Sequence, residues 1–227
     1  MKLSIIIPVY NEENTISQVI EKVENVKIEK EIIVVNDGSS DRTGELLGRL
    51  KKKYNFLLLT HKKNQGKGAA IQTALNYVKG DMVIVQDGDL ETDPNDYLKL
   101  IRPILEGETK IVYGSRNLLP SQEKLGYYCW GGKFLTWLTN ILYGSHLTDM
   151  TTCYKLFKTE ILKNLELESR GFEFDAEVTA KVLKKNYSIV EVPIKYKPRT
   201  FKEGKKLRIK DGLKEAVVLL KYKFKRN

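Results

Sequence analysis

Two carboxylates stand one residue apart at Asp87-Gly88-Asp89, directly after the apolar run Met82-Val83-Ile84-Val85, and Glu91 follows two positions on. Carboxylates so spaced can hold a hard divalent cation such as Mg²⁺ or Mn²⁺, which takes only one or two protein carboxylates and leaves places for phosphate oxygens. An acidic surface turn would have the same spelling. The apolar strand in front of the pair, and Asp37 in the equivalent place after another apolar run, favour a metal and diphosphate site. Gly66-Lys67-Gly68 adds a glycine-flanked lysine at the start of a helical stretch, where backbone N–H groups and Lys67 could meet a phosphate or a sugar. Two other nucleotide motifs fail by spelling. No G-x-G-x-x-G turn follows the first apolar run, which leads into Pro8-Val9-Tyr10-Asn11. A P-loop would need glycine at His61 and Ser or Thr at Gly68.

These residues need elements to position them, and the pattern of apolar residues supplies them. Short β-branched runs at 3–7, 31–35, 56–59, 82–85 and 110–113 alternate with stretches of helical spacing at 15–26, 41–54, 67–78 and 94–105, with Asp41 as a cap for the second helix. Strands alternating with helices predict an α/β fold, a mostly parallel sheet covered on both faces. Ligands of such sheets bind beyond the carboxyl ends of the strands, and the polar clusters at 8–13, 36–41 and 86–91 fall there, so three strand ends converge on one crevice. After residue 115 the alternation loosens. A strand near 153–157, a helix near 174–185 and a strand near 188–192 extend the same sheet or pack on it.

The 227 residues carry 39 Lys and Arg against 29 Asp and Glu, a formal charge of +10. All of that excess lies in residues 195–227, with 13 basic and 3 acidic side chains, while residues 1–194 are balanced. The composition, 41% apolar and 30% charged, is that of a globular domain. Two cysteines, Cys129 and Cys153, read as reduced thiols, and the N-terminal run reads as a strand and not as a secretory leader, so a cytoplasmic location is expected. No run is long enough for a spanning helix, which leaves the membrane surface as the only membrane site.

The motifs in order, Ile7-Pro8-Val9-Tyr10-Asn11-Glu12-Glu13, Val35-Asn36-Asp37-Gly38-Ser39-Ser40-Asp41, Asn64-Gln65-Gly66-Lys67-Gly68, Gln86-Asp87-Gly88-Asp89-Leu90-Glu91 and Gly114-Ser115-Arg116, resemble the family 2 glycosyltransferases of GT-A fold. Gly171-Phe172-Glu173-Phe174-Asp175 and the stretch from Pro198-Arg199 to Lys206 are similar to the dolichol-phosphate mannose synthase branch, the polyprenyl-phosphate glycosyltransferases. The resemblance runs from residue 3 to about 212 and implies a GT-A domain over residues 1–195, with a nucleotide-sugar half (1–115) and an acceptor half (116–195). Residues 196–227 would form a basic acceptor loop and an amphipathic helix. It also implies that Pro8, Tyr10, Glu12, Val35 and Asp37 hold base and ribose, and that Asp87, Gly88 and Asp89 take the diphosphate. Asp87, Asp89 and Glu91 would bind Mg²⁺ or Mn²⁺, with Glu91 standing where some relatives have Gln. Lys67 and Arg116 complete the donor site, and Arg199, Lys205 and Lys206 face the acceptor phosphate. Asp89, Arg116 and Arg199 are the residues implied for catalysis.

The expected reaction moves a hexose from a nucleotide sugar to a polyprenyl phosphate, with inversion, on the cytoplasmic face of a membrane. GDP-mannose is the first expectation for the donor and a UDP-hexose the alternative. A phosphomonoester acceptor, with a second pKa of about 6, is already largely dianionic at neutral pH and needs no general base. Asp149, Asp175 and Glu177 are the candidates if a sugar hydroxyl were the acceptor instead, as in polysaccharide or glycoprotein synthesis. A structural role is favoured for each.

In the tail, Leu213, Ala216, Val217, Leu220 and Phe224 share one helical face and Lys214, Lys221 and Lys225 another, which suits either docking on the core or an anionic membrane surface. A separate membrane-anchoring subunit is a further candidate partner. Tyr127, Tyr128, Trp130, Phe134, Trp137 and Tyr143 crowd one segment, and Phe134 and Trp137 are expected in the core. A nucleic-acid partner is disfavoured, because the basic tail has few stacking residues and no reader motif.

Overall fold

The structure, a computed structural model, describes residues 1–119, 126–200, 204, 206 and 208–225, with backbone only at 126–129. The sequence-predicted strands and helices appear within a few residues of their expected bounds. They are β1 (Leu3–Val9), α1 (Ile16–Asn25), β2 (Lys30–Asn36), α2 (Thr43–Lys53), β3 (Leu57–Thr60), α3 (Lys67–Leu75), β4 (Met82–Val85), α4 (Tyr97–Leu105) and β5 (Ile111–Ser115). Then follow α5 (Gly126–Tyr143), β6 (Lys155–Lys158), α6 (Thr159–Lys163), α7 (Phe174–Lys184), β7 (Val190–Pro193) and α8 (Ile209–Phe224). Asp41 takes the N–H of Thr43, the first residue of α2, at 3.0 Å, but from one position ahead of the N-cap, which is Arg42 and makes no side-chain cap bond.

The seven strands form one sheet in the order β3-β2-β1-β4-β6-β5-β7. β1 pairs in parallel with β2 and β4, β2 with β3, and β5 with β7. β6 is the exception. It enters between β4 and β5 and runs antiparallel to both, so the late strand joins the middle of the sheet instead of extending its edge. The pleat sends alternate side chains to opposite faces, and each face finds a helical layer. Ile6, Ile33, Val35, Val83 and Val85 pack beneath α3, α5, α7 and α8. Ile5, Ile7, Ile32, Val34 and Ile84 pack beneath α1, α2 and α4, where Ile16, Val19, Ile20 and Val23 give α1 its apolar stripe.

α8 meets the core with a face that the apolar pattern did not single out. Leu219 and Tyr222 are buried, joined by Asp211 and Glu215, whereas Leu213, Val217, Leu220 and Phe224 are exposed. Glu168 holds the far end of the helix through Lys221 and Lys225, each at 2.9 Å, and the Tyr222 hydroxyl at 3.0 Å. The Tyr143 hydroxyl donates to the Leu219 carbonyl and ties α5 to α8. The core placement expected for Phe134 and Trp137 is corrected. Both side chains are 54% exposed, on an α5 face that also carries Trp130 and Ile141, while Leu135 and Thr139 point inward. No described helix is long and apolar enough to cross a membrane.

Candidate active site

A cleft of about 1110 Å³ opens beyond the carboxyl ends of the strands. β1 delivers Pro8, Tyr10 and Glu12 to it, β2 delivers Asp37, β4 delivers Asp87, Gly88, Asp89 and Glu91, and β5 delivers Arg116. Lys67 reaches it from the start of α3, and Arg199 and Lys206 from the chain between β7 and α8. Of the residues singled out from sequence, Val35 does not join them. It is fully buried in the sheet, paired in register with Pro8 and Leu59, and supports the wall without lining it. Lys205 lies outside the described residues.

The acids and bases of the cleft are laced together. Lys67 Nζ lies 2.8 Å from Asp87 and 3.5 Å from Asp175, and Asp175 is bound in turn by the buried Lys155 at 2.7 Å. Burial works against the Lys67 charge, but Asp87 and Asp175 outweigh it and raise its pKa. Burial likewise opposes the Asp175 charge, and Lys155 and Lys67 overcome it, so its pKa falls and it stays ionised. Arg199 spans three acids. Its guanidinium meets Glu12 at 3.0 Å and Asp89 at 2.9 Å, and its backbone N–H donates to Glu91 at 2.8 Å. Lys206 Nζ lies on Glu12 and on the Tyr10 carbonyl. Glu91 also accepts the Tyr196 hydroxyl at 2.9 Å, so it anchors the incoming tail.

Asp89 shows the strain of this crowding. Burial, Asp87 and Glu91 push its pKa up to about 7 despite the opposing pull of Arg199. Carboxylates that destabilise one another in a desolvated cleft fit a divalent cation. Among the described residues no three acids, histidines or cysteines are gathered as a ready-made metal cage. The three-carboxylate set expected from sequence is thus not gathered: Glu91 accepts the Tyr196 hydroxyl and the Arg199 N–H, and Asp87 and Asp89 are left as the candidate pair, a number of protein carboxylates that suits a phosphate-bound Mg²⁺ or Mn²⁺.

Other expected roles are taken up by the protein itself. Asp149 grips Arg116 with both oxygens, each at 2.7 Å, and Thr151 takes another guanidinium N–H at 2.7 Å. Tyr196 stacks its ring 5.0 Å from the same guanidinium. Asp149 thus positions Arg116. Glu177 accepts the N–H groups of Glu168 and Ser169 and the Tyr222 hydroxyl, which is a structural role. At Gly66-Lys67-Gly68 the Lys67 ammonium faces Asp87 and Asp175, and the Gly66 N–H donates to Asp37. The N–H groups of Gly68 and Ala69 bind the carbonyls of Gly171 and Arg170. Gly66 has φ +102, and a Cβ there would lie 2.4 Å from the Arg170 carbonyl oxygen, so the glycine admits the 169–171 loop and does not open a phosphate nest.

The Asp37 carboxylate is similarly committed, to the N–H groups of Gln65 and Gly66 and to His61 Nδ1 at 2.6 Å. It fixes the loop before α3 at the cleft wall. Thr151, Cys153, Tyr196 and Glu215, which line the cleft, and His61, which binds Asp37, are residues that reasoning from sequence did not assign. For Glu215 a signal existed: in a tail with only 3 acids, Asp211 and Glu215 fall four residues apart on the face that carries Leu219 and Tyr222.

Among proteins of known name, the chain is 30% identical over 204 residues to the low-salt glycan biosynthesis hexosyltransferase Agl6 of Haloferax volcanii, covering 87% of this chain and 48% of that protein. It is 30% identical over 223 residues to the dolichol-phosphate mannosyltransferase of Pyrococcus furiosus, covering 90% and 59%. A UDP-N-acetylglucosamine–dolichyl-phosphate N-acetylglucosaminyltransferase of Methanococcus voltae is 30% identical over 216 residues, with 84% of each chain covered. The chain thus spans about half the length of the first two. In three dimensions it is similar to glucosyl-3-phosphoglycerate synthase of Mycobacterium tuberculosis, solved with Mn²⁺, UDP and phosphoglyceric acid. That match has a TM-score of 0.74 at 18% identity and covers 100% of this chain and 80% of that one, a likeness of GT-A fold. The glycosyl transferase family 2 profile matches residues 4–166, most of the chain, and the chain belongs to that family.

Proposed function

We propose that this chain is a metal-dependent inverting glycosyltransferase that moves a hexose from a nucleotide sugar to a polyprenyl phosphate at a membrane surface. The observation that carries the reading is the meeting, in one cleft, of Asp87 and Asp89 at a strand end with Arg199 and Lys206 from the basic tail, the Arg199 guanidinium 2.9 Å from Asp89. An acid pair for a metal-bound donor diphosphate and a cation pair for an acceptor phosphate would then hold two anionic groups within reach of each other. Relatives named for dolichyl-phosphate acceptors support the acceptor class, and the Mn²⁺ and UDP of the mycobacterial synthase support a divalent metal.

Mg²⁺ or Mn²⁺ held by Asp87 and Asp89 would supply positive charge to the departing nucleoside diphosphate. The protein's own contribution is orientation and charge. Pro8, Tyr10, Glu12 and Asp37 form the wall for the nucleoside, and Arg116, locked by Asp149, is a fixed cation beside the diphosphate. No base is needed for a dianionic phosphate, which agrees with the engagement of Asp149, Asp175 and Glu177 in ion pairs and structural hydrogen bonds. GDP-mannose is the first candidate donor and UDP-glucose or UDP-N-acetylglucosamine the alternatives.

The exposed faces of α5 (Trp130, Phe134, Trp137, Ile141) and α8 (Ile209, Leu213, Val217, Leu220, Phe224) suit a lipid interface at the cleft mouth, which Phe134, Ile209 and Leu213 also line. This reading puts the protein peripherally on the cytoplasmic side of a membrane. The test is a donor screen with GDP-mannose, UDP-glucose and UDP-N-acetylglucosamine against dolichyl and undecaprenyl phosphate, with Mg²⁺ or Mn²⁺. Sugar transfer to lipid phosphate that ceases on chelation is expected; transfer from none of the donors would overturn the reading.

A further inference from the structure

Glu215 is only 4% exposed, it lines the cleft, and its Oε2 has no hydrogen-bond partner among the described residues. A buried polar atom left so needs a ligand or water to complete it. The charged groups around it come from each neighbouring element. Asp175 of α7 and Asp211 of its own helix are negative, while Lys155 of β6, Lys67 of α3 and, further along the cleft wall, Lys133 of α5 are positive. The first two lysines are already paired with Asp175, and Lys67 also with Asp87. Burial and then Asp175 raise the Glu215 pKa to about 8, so at neutral pH the group is mainly a neutral carboxyl that both donates and accepts.

Its place in the cleft narrows what it meets. Lys67 links Asp87, on the expected diphosphate side, to Asp175, the acid nearest in effect to Glu215. Glu215 therefore shares with Asp175 the part of the cleft that Lys67 joins to Asp87. The sugar of a nucleotide sugar hangs from the distal phosphate, so a polar group joined to Asp87 through Lys67 and Asp175 is placed to meet it. A phosphate would be repelled there by Asp175 and Asp211, whereas sugar hydroxyls, each donor and acceptor, match a neutral carboxyl. We propose that Glu215 hydrogen-bonds a hydroxyl of the transferred sugar and so helps decide which nucleotide sugar is accepted. The proposal rests on the glycosyltransferase reading above.

The experiment is calorimetric titration of GDP, UDP, GDP-mannose, UDP-glucose and UDP-N-acetylglucosamine, with Mn²⁺, into the wild type, Glu215→Gln and Glu215→Leu. At pH 7 Glu215→Leu is expected to weaken the accepted nucleotide sugar about tenfold or more while leaving the matching diphosphate within about twofold. Glu215→Gln, which still donates and accepts, keeps the sugar affinity. Above pH 8 the wild type weakens toward the sugar donor and Glu215→Gln does not, a comparison that carries the test even if the leucine variant fails to fold. Equal losses for donor and diphosphate, unchanged donor affinity in Glu215→Leu, or identical pH dependence of wild type and Glu215→Gln would each overturn the inference. A wild type that binds the diphosphates but none of the three donors would overturn the glycosyltransferase reading as well.

Discussion

Asp89 sits where opposing demands meet. A bound metal would need it as an anion, yet burial, Asp87 and Glu91 push its pKa up to about 7, and Arg199 and the Glu91 N–H offset that only in part. Neutralising it as Asp89→Asn should lower sugar transfer to lipid phosphate by roughly 100-fold or more, the loss typical of removing one preorganised charge from a transition state; transfer rates near wild type would refute the metal site. Arg199 tests the other half of the cleft. Its planar fork holds Glu12 and Asp89 at once, so lysine cannot replace it fully. Arg199→Ala should raise the KM for lipid phosphate by at least about tenfold, with Arg199→Lys intermediate and the KM for donor less affected. Asp87 and Asp89 were legible in the sequence because their message is local, two acids at the end of an apolar strand. The partnership of Asp37 with His61 and the raised pKa of Glu215 were not, because each is created by loops or helices that are distant in sequence and meet only on folding.

α8 illustrates what periodicity reveals and what it conceals. The spacing of Leu213, Val217, Leu220 and Phe224 identified a helix with an apolar face, but a pattern cannot say which face meets the core. Here Leu219 and Tyr222 turn inward, carrying two carboxylates with them, and the longer apolar face is left outside. The strand β6 was legible but its place was hidden for a similar reason, since its insertion between β4 and β5 is a long-range pairing. The exposed faces of α5 and α8 predict lipid contact away from the chemistry. Replacing Trp137, Val217 and Phe224 by Ser should reduce flotation with anionic liposomes and blunt the blue shift of tryptophan emission, whereas unchanged flotation would count against these faces. The electrostatic share is smaller than the charge count suggests, because Lys221 and Lys225 are engaged by Glu168. That clasp has its own pH signature. Hydrogen bonds from Lys221, Lys225 and Tyr222 lower the Glu168 pKa to about 2, so its contribution is complete above the ordinary carboxylate range and is lost as pH falls toward 2. Amide protection at the end of α8, corrected for intrinsic exchange, should fall over that window in the wild type. In Glu168→Gln it should already be low at pH 7.

Across the whole molecule, the +10 charge is distributed to a purpose that composition alone could not disclose. Part of the basic tail folds back over the acidic strand ends, where Arg199 and Lys206 offset Glu12, Asp89 and Glu91. The sheet, the tail and α8 therefore share one set of charges, and a ligand that supplies both a divalent cation and a diphosphate adds to that set in balanced fashion. Any ligand that binds only the folded form stabilises it by mass action, by about 2.7 kcal/mol at a hundredfold excess over Kd. For a chain of this length that shift corresponds to roughly 5 to 10 °C in Tm. GDP or UDP together with Mn²⁺ should therefore raise the melting temperature by that amount in the wild type. The same nucleotide with a chelator should do far less, because the diphosphate then faces Asp87 and Asp89 without the cation between them. Asp89→Asn should make the metal-dependent part of the gain disappear, while Glu215→Leu, at the position proposed to meet the sugar, should retain it. Equal stabilisation with and without metal would mean that the acid pair at the end of β4 does not hold the cation, and the tail's cations alone receive the diphosphate.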